Sequence, residues 1–158
     1  MQKTVKRKLI TGAAALSVLL ASGVSFAHGE EEEKRFAESQ YRHDIMMITK
    51  YALGNILQHL RGTADQEGDV AKFAEMMAMS AAMAKTAFEK DTRGMEGKTD
   101  AKGDIWENWA DFSDRLDKYE ADTAALAEAA KSGDMGQIAP AFKKATSNCK
   151  SCHDEYRK

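Results

Sequence analysis

The residues of this chain best suited to chemistry lie near its C-terminal end, in the run Cys149-Lys150-Ser151-Cys152-His153. In the C-x-x-C-H attachment signature of a c-type haem, two thiols add to the porphyrin vinyl groups and the adjacent imidazole ligates the iron. On a helix, Cys149 and Cys152 share one face and His153 lies one turn after Cys149, so all three can reach one flat macrocycle. The motif therefore predicts a covalently bound haem c with His153 as an axial ligand.

Other functions of a C-x-x-C pair fit the sequence less well. A thioredoxin-type dithiol is expected beside a βαβ pattern, and none is predicted here. A structural zinc ion needs four ligands, but the chain has only two cysteines and no H-x3-5-H motif to complete the set. A disulfide between the two cysteines would close too small a loop to stabilise the fold. No acid–base pair, activated nucleophile or phosphate-binding loop is evident either, so we do not expect an enzyme.

The N-terminal region has the pattern of a secretory signal peptide. Four basic residues occur among the first eight, an apolar run covers residues 9–24, and small residues at 25 and 27 fit a cleavage site. The uninterrupted apolar part, residues 9–20, is shorter than the roughly 20 residues of a membrane-spanning helix. We therefore expect residues 1–27 to be removed on export to a bacterial periplasm, where cytochrome c maturation takes place, with no membrane span left after cleavage.

The predicted mature chain, residues 28–158, has the length of a single domain with a real core. Removal of the four basic leader residues from the total of 23 leaves 19 basic against 25 acidic residues, a formal charge of −6. Such a charge argues against nucleic acid or an anionic membrane surface as a partner.

Hydrophobic periodicity predicts four helices and almost no strand. They cover about residues 33–60, 69–90, 104–131 and 139 to the C-terminus, the last preceded by a looser turn because Pro140 disfavours a regular start. Helices joined by short and medium loops pack most simply as an antiparallel up-down-up-down bundle. The prediction is an all-α four-helix bundle that carries haem c on its last helix, whose apolar stripe puts both cysteines on the core side.

Four short motifs occur along the chain: Tyr41-Arg42 with Met46, Ile105-Trp106, Gly133-Asp134, and the C-terminal run from Cys149 to Arg157. Together they resemble the class II cytochromes c, the family of the cytochromes c′ and c556, over the whole mature chain. Class I cytochromes differ, since they carry the haem motif near the N-terminus.

The resemblance implies roles for individual residues. His153 would be the proximal iron ligand, with Arg157 one turn away. Arg42 would pair with a haem propionate, and His43, at a position that is often polar, is a further candidate for a propionate contact. Met46 would face the distal side of the iron.

The state of Met46 separates two functions. If its thioether ligates the iron, the protein is a six-coordinate, low-spin periplasmic electron carrier that works with redox partner proteins; if not, it is a five-coordinate protein that binds NO or CO. Because nine methionines are present, core filling is the alternative role. The sequence favours ligation, since a soft thioether at this spacing can reach the iron. Met47 is the reserve ligand, while His43 and His59 would give bis-histidine iron.

Exposed apolar residues on the first two helices fit the homodimer that the resemblance implies. Met76, Met79 and Met83 also form a stripe that soft metals such as copper(I) can use. Packing against a neighbouring helix or a second copy is the favoured interpretation of this stripe.

Overall fold

The computed structural model describes residues 33–66 and 68–158. Its helices are α1 (Ala37–Leu60), α2 (Asp69–Glu89), the short α3 (Asp104–Glu107), α4 (Trp109–Ala130) and α5 (Met135–Tyr156). The described ranges contain no strand, only two isolated bridges. The predicted signal peptide lies outside the described residues. None of the helices in the described ranges is long and apolar enough to cross a membrane.

The four long helices pack as an antiparallel bundle, which confirms the predicted fold. Close contacts join α1 to α2, α2 to α4, and α4 to α5. Near the ends of α2 and α4, the ring of Phe88 meets that of Phe112 at 5.1 Å. Near the middle of α4, the Asn148 amide of α5 donates to Asp122 at 3.2 Å. Within the described residues, α1 and α5 scarcely touch each other, which leaves a gap on one side of the bundle.

Two clusters of buried side chains form the core. The first cluster occupies the end of the bundle where α2 and α5 begin: Ala52, Ile56, Val70, Ala74, Met77, Leu126, Ala130, Ile138, Phe142 and Ala145. The second cluster occupies the opposite end: Ile45, Ala84, Ala87, Phe88, Ile105, Phe112, Leu116 and Tyr156. Each large buried side chain contributes about 1.5–3 kcal/mol. Ile48 of α1 belongs to neither cluster and is 37% exposed, although the apolar spacing of α1 predicts that it faces inward.

The third predicted helix, residues 104–131, is interrupted at Asn108. This residue has φ −118° and ψ 41°, outside the helical region, and it separates α3 from α4. Its side-chain amide donates to the Asp104 carbonyl at 3.3 Å, and its own carbonyl accepts from the Phe112 amide at 3.0 Å. The Asn108 backbone amide still donates to the Asp104 carbonyl at 2.9 Å, so the side-chain amide adds a second donor to that carbonyl, a local effect that apolar periodicity does not reveal.

The last helix begins at Met135, so the prediction of an irregular start up to residue 139 is wrong. The Asp134 carboxylate caps the helix by accepting from the Gly136 amide at 2.8 Å. Pro140 lies inside α5 and cannot donate to the Gly136 carbonyl. Because Gly136 is exposed, water can satisfy that carbonyl.

Candidate haem-binding site

A cavity of about 450 Å³ lies between α1 and α5, and α4 forms its back wall. Cys149, Cys152 and His153 all line it, as the C-x-x-C-H motif predicts. The volume is in the range of sites that hold organic ligands. The fold therefore brings the three motif residues to one concave surface, on which the two cysteines are half-buried and His153 is exposed.

The state of these three side chains suits attachment of a haem. Burial raises the pKa of both thiols, so Cys149 and Cys152 are protonated at neutral pH. Partial loss of water around the imidazole, together with the nearby Arg157, lowers the pKa of His153. A neutral imidazole has the free lone pair that a metal ligand requires.

Arg42 reaches the cavity from α1 and is almost completely buried, with 3% exposed. Its Nη2 donates to the Thr92 hydroxyl at 3.1 Å. Its guanidinium carbon lies 5.2–5.7 Å from the centres of three aromatic rings, those of Phe36, Phe88 and Trp106. Within the described residues, its Nη1 is buried with no hydrogen-bond partner. A buried donor of this kind is costly unless an acceptor satisfies it, and a haem propionate would supply one.

His43 lies at the edge of the cavity beside an ion pair that the sequence did not indicate. Arg35 Nη2 lies 2.8 Å from Asp100 Oδ2, and His43 Nδ1 lies 3.9 Å from the same oxygen. All three residues line the cavity. Arg35 and Asp100 are 65 positions apart, so no local pattern could have paired them.

Arg157 lines the cavity immediately after α5, and its amide donates to the His153 carbonyl at 3.0 Å. Arg115, which sequence analysis also missed, lines the cavity from α4. Its Nε donates to Asp111 Oδ2 at 2.7 Å, and the Tyr156 hydroxyl donates to the same oxygen at 2.6 Å. The Tyr156 bond, followed by that of Arg115, lowers the pKa of Asp111.

Met46 and Met47 both line the cavity and are half-buried. Either thioether is therefore placed where it can contact a haem. His59 lies near the end of α1, with its ring 6.3 Å from that of Phe73. It is not among the residues that line the cavity, so the structure separates it from the other candidate ligands.

Comparison with known proteins identifies the family. The sequence profile described as Cytochrome C′ matches residues 37–157. The cytochrome c′ of Rubrivivax gelatinosus is 31% identical over 121 residues, which cover 75% of this chain and 92% of that protein. The cytochrome c-556 of Agrobacterium tumefaciens is 29% identical over 120 residues, covering 76% and 96% respectively.

Solved structures agree with the sequence relatives. Cytochrome c prime from Shewanella frigidimarina has a TM-score of 0.69 at 29% identity and covers 78% of this chain and 99% of its own. A nitric oxide complex of a cytochrome c prime variant from Alcaligenes xylosoxidans has a TM-score of 0.67 at 27% identity, with the same coverage. With the bundle, the cavity and the C-x-x-C-H motif all in agreement, this chain belongs to the cytochrome c′ family of class II cytochromes c and has covalent haem c as its cofactor.

Proposed function

We propose that this protein is a periplasmic cytochrome that binds a small diatomic gas, NO or CO, at one haem c. The observation that carries the proposal is that relatives of the same fold, from Alcaligenes xylosoxidans, are described with bound NO or CO. In this chain, the cavity between α1 and α5 offers the space for such a site. The proposal places the gas-binding alternative of the sequence analysis ahead of electron transfer.

Four residues of the cavity wall have the central roles in this proposal. Cys149 and Cys152 hold the haem, and His153 ligates the iron on one side. Met46 lies on the other side without bonding the iron, so the sixth position stays open to small ligands. The haem supplies the ligand-binding iron, while the protein binds, orients and shields it without catalytic turnover.

Arg42, His43 and Arg157 surround the haem in this proposal. The unpartnered Nη1 of Arg42 supports a propionate contact. His43 is a weaker candidate because Asp100 already lies 3.9 Å from its Nδ1. Arg157 follows α5, where its charge lies close to His153 and helps to keep the imidazole neutral.

Electron transfer is the second candidate function. It is favoured by the positions of Met46 and Met47 in the cavity wall and by the similarity to a cytochrome c-556. A thioether ligand would give low-spin, six-coordinate iron, and the burial and ligand type would then set the reduction potential. Its partners would be periplasmic redox proteins.

Optical spectra of the oxidised and reduced holoprotein test these alternatives, with Met46→Ala and the matched Met47→Ala alongside. High-spin spectra in all three proteins, with rapid CO binding to the reduced form, are expected for the gas-binding function. A low-spin spectrum whose weak ferric sulfur-to-iron band disappears in Met46→Ala would instead establish an electron carrier. Loss of that band only in Met47→Ala would assign the ligand to Met47, and a low-spin spectrum unchanged in both variants would point to His43.

The exposed apolar side chains of α1 and α2 support a homodimer. They are Tyr41, Ile48, Tyr51, Met76 and Met79. These large apolar side chains lie on two helices that pack against each other, and exposed apolar surface that forms a patch is typical of interaction sites. Sedimentation equilibrium of the holoprotein is expected to give twice the monomer mass, and Met79→Glu is expected to shift it toward the monomer. A monomeric wild-type protein at high concentration would contradict the dimer.

Export is tested separately by mass spectrometry of the protein from a periplasmic fraction. The proposed cleavage after Ala27 predicts a mature chain that begins at His28 and carries one haem. A mass that includes the first 27 residues would contradict it.

A further inference from the structure

Three hydroxyl groups from three different helices meet at one level of the bundle. The Tyr119 hydroxyl of α4 lies 3.5 Å from Thr49 Oγ1 of α1, and that atom lies 2.8 Å from Ser80 Oγ of α2. Ser80 is buried, while Thr49 and Tyr119 line the cavity. This hydroxyl chain of Tyr119, Thr49 and Ser80 lies between the two core clusters, and so forms a polar floor to the cavity.

The direction of hydrogen bonding along the chain is fixed by its last member. Ser80 Oγ donates to the Met77 carbonyl at 2.9 Å, and a carbonyl can only accept. The single proton of Ser80 is thereby used, so Thr49 donates to Ser80 and accepts from Tyr119. Only the Tyr119 proton is held by a long bond, which at 3.5 Å is much weaker than the others.

The hydroxyl proton of Tyr119 is therefore available to a closer acceptor than Thr49. Burial raises its pKa to about 12, so it keeps its proton at physiological pH. Two other hydroxyls of the cavity wall are held more firmly: Ser39 donates to the Lys98 carbonyl at 2.7 Å, and Tyr156 donates to Asp111 at 2.6 Å. A polar ligand near Tyr119 would be a better acceptor than the distant Thr49 hydroxyl.

Thr49 connects this donor to the proposed gas site. It lies three residues after Met46 on α1, so the two side chains share one helix face. Both side chains line the same cavity. The phenol of Tyr119 therefore approaches the cavity on the side of α1 that carries Met46.

We propose that Tyr119 is a specificity-determining residue of the gas site, whose phenol donates a hydrogen bond to a diatomic ligand bound at the haem. The inference rests on the proposed gas-binding function. Such a donor stabilises ligands that carry negative charge on their outer atom, and so it favours polar bound ligands over apolar ones. Thr49 is a positioning residue, because its hydroxyl oxygen competes with the bound ligand for the Tyr119 proton.

The test uses the reduced holoprotein with CO as the probe and the C–O stretching frequency as the readout. Tyr119→Phe is expected to raise that frequency, because loss of the donor weakens back-donation into CO, and to speed CO dissociation about two- to tenfold. Thr49→Val is expected to lower the frequency, because it releases the phenol toward the ligand. Tyr51→Phe, at an exposed tyrosine of α1, is the matched control and is expected to leave both unchanged.

The outcomes separate this inference from the proposed function. If the wild type binds CO and neither cavity variant shifts the C–O frequency, the role of Tyr119 is wrong while gas binding stands. If Met46 blocks CO binding in the wild type, the proposed gas-binding function is overturned; the same variants are then compared in a Met46→Ala background, where opposite shifts still support the donor and unchanged frequencies overturn it. A failure of CO to bind in both backgrounds overturns the proposed function and the inference together.

Discussion

Arg42 and Thr92 are joined by a buried hydrogen bond of 3.1 Å that ties α1 to the connection after α2. The same guanidinium leaves Nη1 without a partner among the described residues, at the wall of the cavity. Nη2 of Arg42 thus links α1 to the connection after α2, while Nη1 is a free donor at the haem site. Burial lowers the pKa of Arg42, because the charged guanidinium has lost most of its hydration.

Replacement of Arg42 is expected to cost more than loss of its hydrogen-bond partner. Arg42→Gln removes the charge from the site of the proposed propionate and is expected to lower the unfolding free energy of the holoprotein by about 3–5 kcal/mol. Thr92→Val leaves one donor unsatisfied and is expected to cost about 1–3 kcal/mol. Urea unfolding followed by circular dichroism measures both. Arg61→Gln, at an exposed arginine, is the control, and equal losses at Arg42 and Thr92 would contradict a second role for Arg42.

Asp111 is expected to make stability depend on acid pH. Hydrogen bonds from Tyr156 and then Arg115 lower its pKa, so its contribution is fully present above the ordinary carboxyl pKa of about 4. That contribution is lost as the pH falls through the lowered pKa. Asp111→Asn is therefore expected to be less stable than wild type at neutral pH and to lose less stability on acidification.

Unfolding midpoints recorded between neutral and strongly acidic pH check this expectation. Asp114→Asn, an exposed carboxylate on the same helix, is the matched control. An acid dependence that is the same in Asp111→Asn and wild type would show that other carboxyl groups carry it.

Tyr119 is expected to act at the alkaline end. Burial raises its pKa from 10.0 to about 12, so the stability due to its neutral phenol is fully present below pH 10.0 and is lost as the pH rises through about 12. Tyr119→Phe cannot ionise, and its stability is therefore expected to fall less steeply across this window. Urea midpoints in alkaline buffers measure the slope, with Tyr51→Phe as the exposed control. A slope unaltered by Tyr119→Phe would mean that the phenol ionises without penalty.

Two methionines of α2 are expected to differ sharply in their contribution to stability. Met77 is fully buried in the first cluster, whereas Met79 is 60% exposed. Met77→Ala is expected to cost about 2–5 kcal/mol, and the volume-conserving Met77→Leu less than about 1.5 kcal/mol. Met79→Ala, measured in dilute protein, is expected to change stability by no more than about 0.5 kcal/mol. Similar losses at the two positions would contradict the packing of α2.

Local patterns made the fold predictable. Apolar residues recur with helical spacing, so the existence of the long helices and the inward direction of Ile56 or Leu126 follow from the sequence. Boundaries were less predictable where one polar side chain competes with the backbone. The non-helical dihedral angles of Asn108, whose side chain also bonds to the Asp104 carbonyl, divide one predicted helix, and the Asp134 cap starts another before Pro140.

The haem attachment could be predicted from the sequence alone, because C-x-x-C-H is a contiguous motif whose chemistry requires only the local spacing of a helix. The surroundings of that motif, by contrast, follow from the tertiary structure. Asp100 beside Arg35, Thr92 beneath Arg42, and the hydroxyl chain of Tyr119, Thr49 and Ser80 each join residues 31 to 70 positions apart. Such pairs depend on how the helices pack, since hydrogen bonds and ion pairs act over a few ångströms in space and leave no periodic trace along the chain.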